Sequence, residues 1–305
     1  MPLLVVGSVA LDSIETPFGT AHDVLGGSAT YFAASASHHT PVRAVGVIGS
    51  DYPRHRLDVL ARRDVDLSGV EQADGESFRW KGRYRHDLNV AETLETRLGV
   101  FASFRPKLPE SFRDSEFVFL ANIDPRLQLE VLDQVRRPTL AACDTMNFWI
   151  ESRRDDVLAV IARVDLVTLN DGEARQLTGL PNLVQAARWL LDRGPRHVII
   201  KKGEHGAFMF TKESVFFAPA YPLEKLFDPT GAGDSFAGGF MGWIARTGDL
   251  SEANLRRAVV YGSAMGSFAV EGFSIDRLIE IGGADISRRV AEFHQLVSFD
   301  REMPA

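Results

Sequence analysis

Short apolar runs rich in β-branched residues alternate along the chain with longer stretches whose apolar positions recur every three to four residues. The first kind reads as buried strands and the second as amphipathic helices. Strands are expected at 3–9, 42–48, 117–121, 139–143, 164–169 and 198–201. Helices are expected at 29–37, 54–63, 127–135, 155–163, 183–192, 234–246 and 251–270. That alternation predicts an α/β class, a mostly parallel central sheet with helices on both faces. One region departs from it: between Phe78 and Arg85 apolar and basic residues swap with period two, as in a strand with two unlike faces. A second such run at 93–100 can pair with it, and the polar segment 13–23 can join. Residues of about 12–24 and 77–104 are therefore expected to form a small antiparallel β lid on a single domain spanning 1–305. No repeat, low-complexity tract or Pro/Ser-rich linker divides the chain.

Composition narrows the class. At 305 residues, 45% hydrophobic and 25% charged, the chain is long enough for one large α/β core or two small ones. Lys and Arg number 34 against 41 Asp and Glu, and the formal charge of -7 argues against nucleic acid or an anionic membrane as partner. A small anionic substrate stays open, because it needs only a local site. Cys143 is the single cysteine, so neither an intramolecular disulfide nor a cysteine zinc cluster can form, a usage that fits a reducing cytoplasm. Residues 1–9 lack the positive start of a signal peptide, and the uncharged stretch 258–270 falls short of the roughly 20 residues a bilayer requires. A cytoplasmic protein with no membrane partner is expected.

The chemistry concentrates in Asp228-Pro229-Thr230-Gly231-Ala232-Gly233-Asp234-Ser235-Phe236. Gly231 and Gly233 permit a sharp turn, and the periodic apolar run from Phe236 to Ile244 begins a helix. A helix N-terminus after such a turn can hold an anion on its free amides and positive dipole end. Asp234 at that terminus either caps the helix or takes the proton of a hydroxyl attacking a bound phosphate. Spacing alone leaves those two readings even. The run through Phe240 resembles the carboxy-terminal motif of the ribokinase (PfkB) family of carbohydrate and nucleoside kinases. The resemblance implies a ribokinase-like fold, Asp234 as catalytic base, and the amides of Gly231, Ala232 and Gly233 as the anion hole for the transferred phosphoryl group. Phosphoryl transfer asks a protein mainly for alignment and charge stabilisation, which such parts supply. No Gly-x-x-x-x-Gly-Lys-Ser/Thr occurs, so no Walker-type site competes.

Asn170 and Glu173 resemble the family's Asn-x-x-Glu motif, which implies placement of Mg2+ and phosphate, with Glu173 acting through water. The same pair also spells a capping box. The segment Lys201 to Gly206 takes the place of the family's nucleotide loop, Thr-x-Gly-x-x-Gly. Gly203 and Gly206 match it, while Lys201 stands where Thr is usual and either reaches nucleotide phosphates or ends a strand in solvent. Asp12, Gly26 and Gly27 fall where the family holds its acceptor: a carboxylate can bind two hydroxyls, and bare backbone lets a ligand approach. Read alone they are a turn residue and a loop into a helix. Tyr31 replaces the family's usual Asn. Asp51 reads as a structural turn residue, and Asp144 as a candidate on the sheet edge where α/β ligands bind. Asp228 falls where some members bind a monovalent cation such as K+.

In the lid, Arg79, Lys81, Arg83 and Arg85 alternate with Phe78, Trp80, Gly82 and Tyr84. An inward basic face would let Arg83 read a phosphate already on the acceptor. An inward aromatic face would cover a base or meet a second subunit, and a half-buried strand with its charges in water is the plain alternative. His38, His39, Arg288 and Arg289 read as surface. The whole resemblance implies an ATP-dependent, Mg2+-using kinase that moves the γ-phosphate to a hydroxyl of a small sugar or sugar-like acceptor. A nucleoside acceptor is the first alternative. A non-catalytic binding protein on the same fold is the second, and intact Asp234 and Gly231 to Gly233 argue against it. The exposed lid edge makes a homodimer through the lid an expectation by family analogy.

Overall fold

β1 (Leu3–Val6) is buried at every position and leads into a hairpin, β2 (Ala10–Thr16) and β3 (Gly19–Gly26), whose tip leaves the core. The chain returns through α1 (Ser28–Ala36), β4 (Val42–Gly49), α2 (Asp58–Ala61) and β5 (Val65–Ala73), then leaves again as β6 (Phe78–Tyr84) and β7 (Ala91–Arg97). Strand and helix then alternate through β8 (Phe117–Leu120), α3 (Pro125–Leu132), β9 (Leu140–Asp144), α4 (Asn147–Ser152) and α5 (Arg154–Ile161). The pattern continues with β10 (Leu166–Asn170), α6 (Asp171–Thr178), α7 (Leu183–Leu191) and β11 (His197–Lys201). A hairpin, β12 (Ala207–Phe210) and β13 (Val215–Ala218), precedes α8 (Ala232–Thr247), α9 (Glu252–Ala269), α10 (Asp276–Glu280) and α11 (Gly283–Val297). These elements are those of a computed structural model that describes residues 1–298; the last seven residues of the expected domain, 299–305, lie outside the described residues.

One sheet carries the order β13-β12-β11-β10-β9-β8-β1-β4-β5, parallel from β11 to β5 and antiparallel in the last hairpin. Alternation sorts its side chains onto two cores. Leu3 and Val5 join residues of α1, α8 and α9, whereas Leu4 and Val6 join those of α3, α5 and α7. Each such buried aliphatic side chain stabilises the fold by roughly 1.5–3 kcal/mol relative to exposure, so the strand ends that carry polar groups are fixed from both sides. No helix among the described residues is long and apolar enough to cross a membrane.

The expected α/β layering is observed, with several local differences. β5 went unread because it is the sheet edge, where exposed Asp66 and Glu71 interrupt the apolar run. The helix expected at 54–63 opens as a 3-10 turn, Arg54–Leu57, and only four residues are α-helical. The lid is a four-stranded sheet, β3-β2-β6-β7, antiparallel in its two outer pairings and parallel between β2 and β6. His39 and Arg289 are not surface groups: His39 packs edge-on against the stacked rings of Trp243 and Tyr261, and Arg289 covers Phe268 and pairs with Glu271 at 2.6 Å.

Candidate active site

The carboxyl ends of β9, β10 and β11 lie side by side, and each ends on a polar residue: Asp144, Asn170 and Lys201. Lys201 Nζ donates to Asp144 Oδ2 at 2.7 Å, with both side chains largely buried. The solvated reading of Lys201 is thereby excluded. Burial works to lower its ammonium, yet the carboxylates of Asp144, Glu173 and Asp234 hold it above the ordinary lysine value. Asn170 and Glu173 do form the capping box of α6, with bonds of 2.7 and 2.8 Å between each side chain and the other's amide. The Glu173 carboxyl is nevertheless pushed up to about 7 by burial and by Asp144, against the pull of Lys201. One residue serves the cap and faces the charge cluster together.

α8 enters from the opposite side. Its N-cap, Gly231, is left-handed at φ 73, a conformation costly for other residues, and a Cβ there would overlap the Tyr31 ring. The first amides of a helix have no intrahelical partner. Of the three expected in the anion hole, that of Ala232 is committed to Pro229 O at 3.2 Å, which leaves Gly231 and Gly233 for an anion. Gly233 also lies beside Lys201 Nζ, so the ammonium and the free amides share one space. Asp234 sits in the first turn, pushed up to about 7 by burial and by Asp144, with Lys201 opposing. A carboxylate of that pKa is matched to accepting a hydroxyl proton at neutral pH.

Of the residues expected at the acceptor, Asp12 is 4% exposed, and its carboxyl lies so close to Gly26 that any side chain there would overlap it. Burial pushes Asp12 up to about 7; the Gly27 amide works against that shift, and Asp228 and Asp234 add to it. Asp228 is buried, accepts the Thr230 amide at 2.9 Å on one oxygen, and keeps the other without a partner among the described residues.

The lid covers this end. Register pairs Asp12 with Trp80 and Ile14 with Gly82, so the inward face carries the aromatic set. Tyr84 accepts a hydrogen bond from Thr230 Oγ1 at 3.2 Å, and Asn89, in the turn between β6 and β7, lies against Gly203, just after β11. Arg83, expected as an acceptor ligand, is on the other face with Arg79 and Lys81. It pairs with Glu15 at 2.7 Å, and Lys81 meets the same carboxylate at 3.2 Å. The basic stripe is neutralised by lid acids because alternation turned it outward. Asp51 is structural as expected, accepting from Ser77 and pairing with Arg79 at 2.8 Å. Asn89 went unread because it belongs to no motif, and Thr230, although inside the Asp228 to Asp234 run, was given no role; only the fold brings the two to the cleft.

The chain matches the pfkB family of carbohydrate kinases over residues 11–277, and it belongs to that family. A cytidine kinase of Thermococcus kodakarensis is 32% identical over 257 residues, covering 83% of this chain and 91% of its own. A ribokinase of Haemophilus influenzae is 31% identical over 298 residues, covering 88% and 92%. The solved aminoimidazole riboside kinase of Salmonella enterica, complexed with aminoimidazole riboside and an ATP analogue, aligns at TM-score 0.76 and 22% identity over 95% of this chain and 100% of its own. The protein is a ribokinase-fold kinase, a phosphotransferase with a hydroxyl group as acceptor.

Proposed function

We propose that the chain moves the γ-phosphate of ATP to a hydroxyl of an uncharged sugar or nucleoside. The observation that carries this is a division of charge across the cleft. The charged groups acting on Asp12 are Asp228 and Asp234, both negative, whereas Lys201 and the amides of Gly231 and Gly233 gather on the nucleotide side. A phosphorylated acceptor would meet carboxylates; a neutral polyol would meet hydrogen-bond acceptors.

In this reading Asp12 holds the acceptor and Asp234 takes the proton of the reacting hydroxyl. The new O–P bond forms as the bond between the β-γ bridging oxygen and the γ-phosphorus breaks, and ADP leaves with that oxygen. Lys201 and the two free amides face the charge on the transferring group, while Gly203 and Gly206 shape the nucleotide loop. Mg2+ would neutralise the triphosphate. Glu173 suits it as a single carboxylate acting through water, since Mg2+ keeps several waters beside one or two carboxylates. The unpartnered oxygen of Asp228 suits a monovalent cation such as K+. Closure of the lid on Thr230 and Gly203 would exclude water as a competing acceptor. The exposed strand β7 offers an edge for a second copy.

Within this class, a nucleoside acceptor draws support from the inward aromatic face of the lid and from the relative named cytidine kinase. Coupled ADP release with ATP and Mg2+ over cytidine, inosine, ribose, fructose and their phosphates tests the reading. Turnover of an unphosphorylated compound is expected; preference for a phosphorylated one would contradict it.

A further inference from the structure

Asp144 ends β9, is 5% exposed and is held at three points. Gln128 Nε2 donates to the Asp144 carbonyl at 3.0 Å and also to the carbonyls of Leu120 and Ala121, which ties the ends of β8 and β9 together. The Thr145 amide donates to Asp144 Oδ1 at 2.8 Å, and Lys201 Nζ donates to Oδ2 at 2.7 Å. That last bond is the only one the ammonium makes among the described residues, so two of its three N–H groups are free. A Cβ on Gly233 would stand 3.1 Å from Nζ, which puts the ammonium at the first turn of α8. A threonine at position 201 would carry no charge to balance. A buried lysine on a flexible four-carbon stem needs both a counter-ion and a fixed direction. Asp144 supplies the two together, with one oxygen engaged by its neighbour's amide and the other by the ammonium.

We propose that Asp144 is a positioning residue for phosphoryl transfer: it holds the Lys201 ammonium at the first turn of α8, against the transferring group, and takes no part in binding the acceptor. The proposal rests on the kinase reading above. Removing the carboxylate leaves a buried ammonium unpaired and its stem free to turn away from the phosphoryl group. Removing both members of the pair leaves neither fault.

The test is a double-mutant cycle of wild type, Asp144→Asn, Lys201→Thr and the double variant, on the best acceptor among cytidine, inosine, ribose and fructose. The kcat of each protein is read on the high-pH plateau of its profile, where Asp234 is ionised, so that the field of Asp144 on Asp234 does not enter. Asp144→Asn is expected to lose about thirtyfold in kcat, with the acceptor KM within about twofold of wild type. In the Lys201→Thr background the same substitution should change kcat by less than about twofold. Thermal melts read the pair without turnover. Asp144→Asn should lower the Tm in the wild-type background and raise it in Lys201→Thr, where it removes an orphaned carboxylate. Comparison of Lys201→Thr with the double variant carries the test if Asp144→Asn alone fails to fold. Equal losses of kcat in the two backgrounds, a lowered Tm in both, or a raised acceptor KM with kcat unchanged would overturn the proposal while leaving the kinase reading intact. A wild type that turns over none of the four compounds takes both down.

Discussion

The cleft and the outer face of the lid are equally dense in charge and handle it in opposite ways. In the cleft, Asp12 is buried and Glu173 and Asp234 are half-buried; all three are pushed up to about 7, and Lys201 is the cation that acts on Glu173 and Asp234. On the lid's outer face, half-buried Glu15 and exposed Glu95 lie beside Arg83, Lys81 and Arg97, which hold them below the usual carboxylate range. Exposed pairs of that kind contribute little, because solvent screens them and ordering long side chains has an entropic cost. Enclosed carboxylates with free valences are poised for chemistry instead. The difference teaches that partial desolvation, rather than charge density, marks the working surface.

The two regions also respond to pH with opposite sign. Asp12 and Asp234 bind protons more tightly folded than unfolded, so their contribution to stability is present at low pH and is lost as pH rises through about 7. Glu15 and Glu95 have lowered values, so theirs is present above the unfolded value and is lost as pH falls through the folded one, and it is small because solvent reaches both pairs.

The largest effect that would break this contrast is on Asp234. Asp234→Asn should lower kcat by about a thousandfold or more while calorimetry still detects nucleotide binding. Lys201→Met should cost about a hundredfold in kcat. It should also move the acid limb of the kcat/KM profile, centred near 7 in wild type, to higher pH, because Lys201 holds Asp234 down. Asp144→Asn should move the same limb the other way, since Asp144 raises Asp234. Asp12→Asn is expected to raise the acceptor KM about tenfold. It should raise the Tm at pH 8 by a few degrees, with no gain at pH 5, where wild-type Asp12 is already protonated. Arg83→Ala is the smallest: acceptor KM within about twofold and a Tm change of about one degree or less, read by steady-state kinetics and thermal melts.

The same contrast separates what was legible in the sequence. Parallel strands were plain because Phe117 to Leu120 and Val198 to Ile200 are apolar at every position, as strands buried on both faces must be. The turn into α8 with Asp234 in its first turn was legible because Gly231 to Asp234 is local in the chain, while the roles expected of these residues came from the family resemblance. Lys201 was ambiguous in sequence, and only the register of β11 beside β10 turns it into the cleft. The lid could not be oriented from its alternation, since period two announces two faces without saying which is inward. Pairing of β6 with β2, which carries Asp12, decides it, and that pairing spans the hairpin and β5. Tyr31 was visible as a departure from the family, but its packing on Gly231 joins residues two hundred positions apart.

The most direct test of the central claim is the pH dependence of kcat/KM for the best uncharged acceptor, measured in wild type and Lys201→Met, with Asp234→Asn as the reference for lost base. An activity that rises through pH about 7 in wild type, with its midpoint displaced upward in Lys201→Met and abolished in Asp234→Asn, is the predicted result. A flat profile between pH 5 and 9, or Asp234→Asn turning over at a rate near wild type, would contradict the assignment of Asp234 as the base of this kinase.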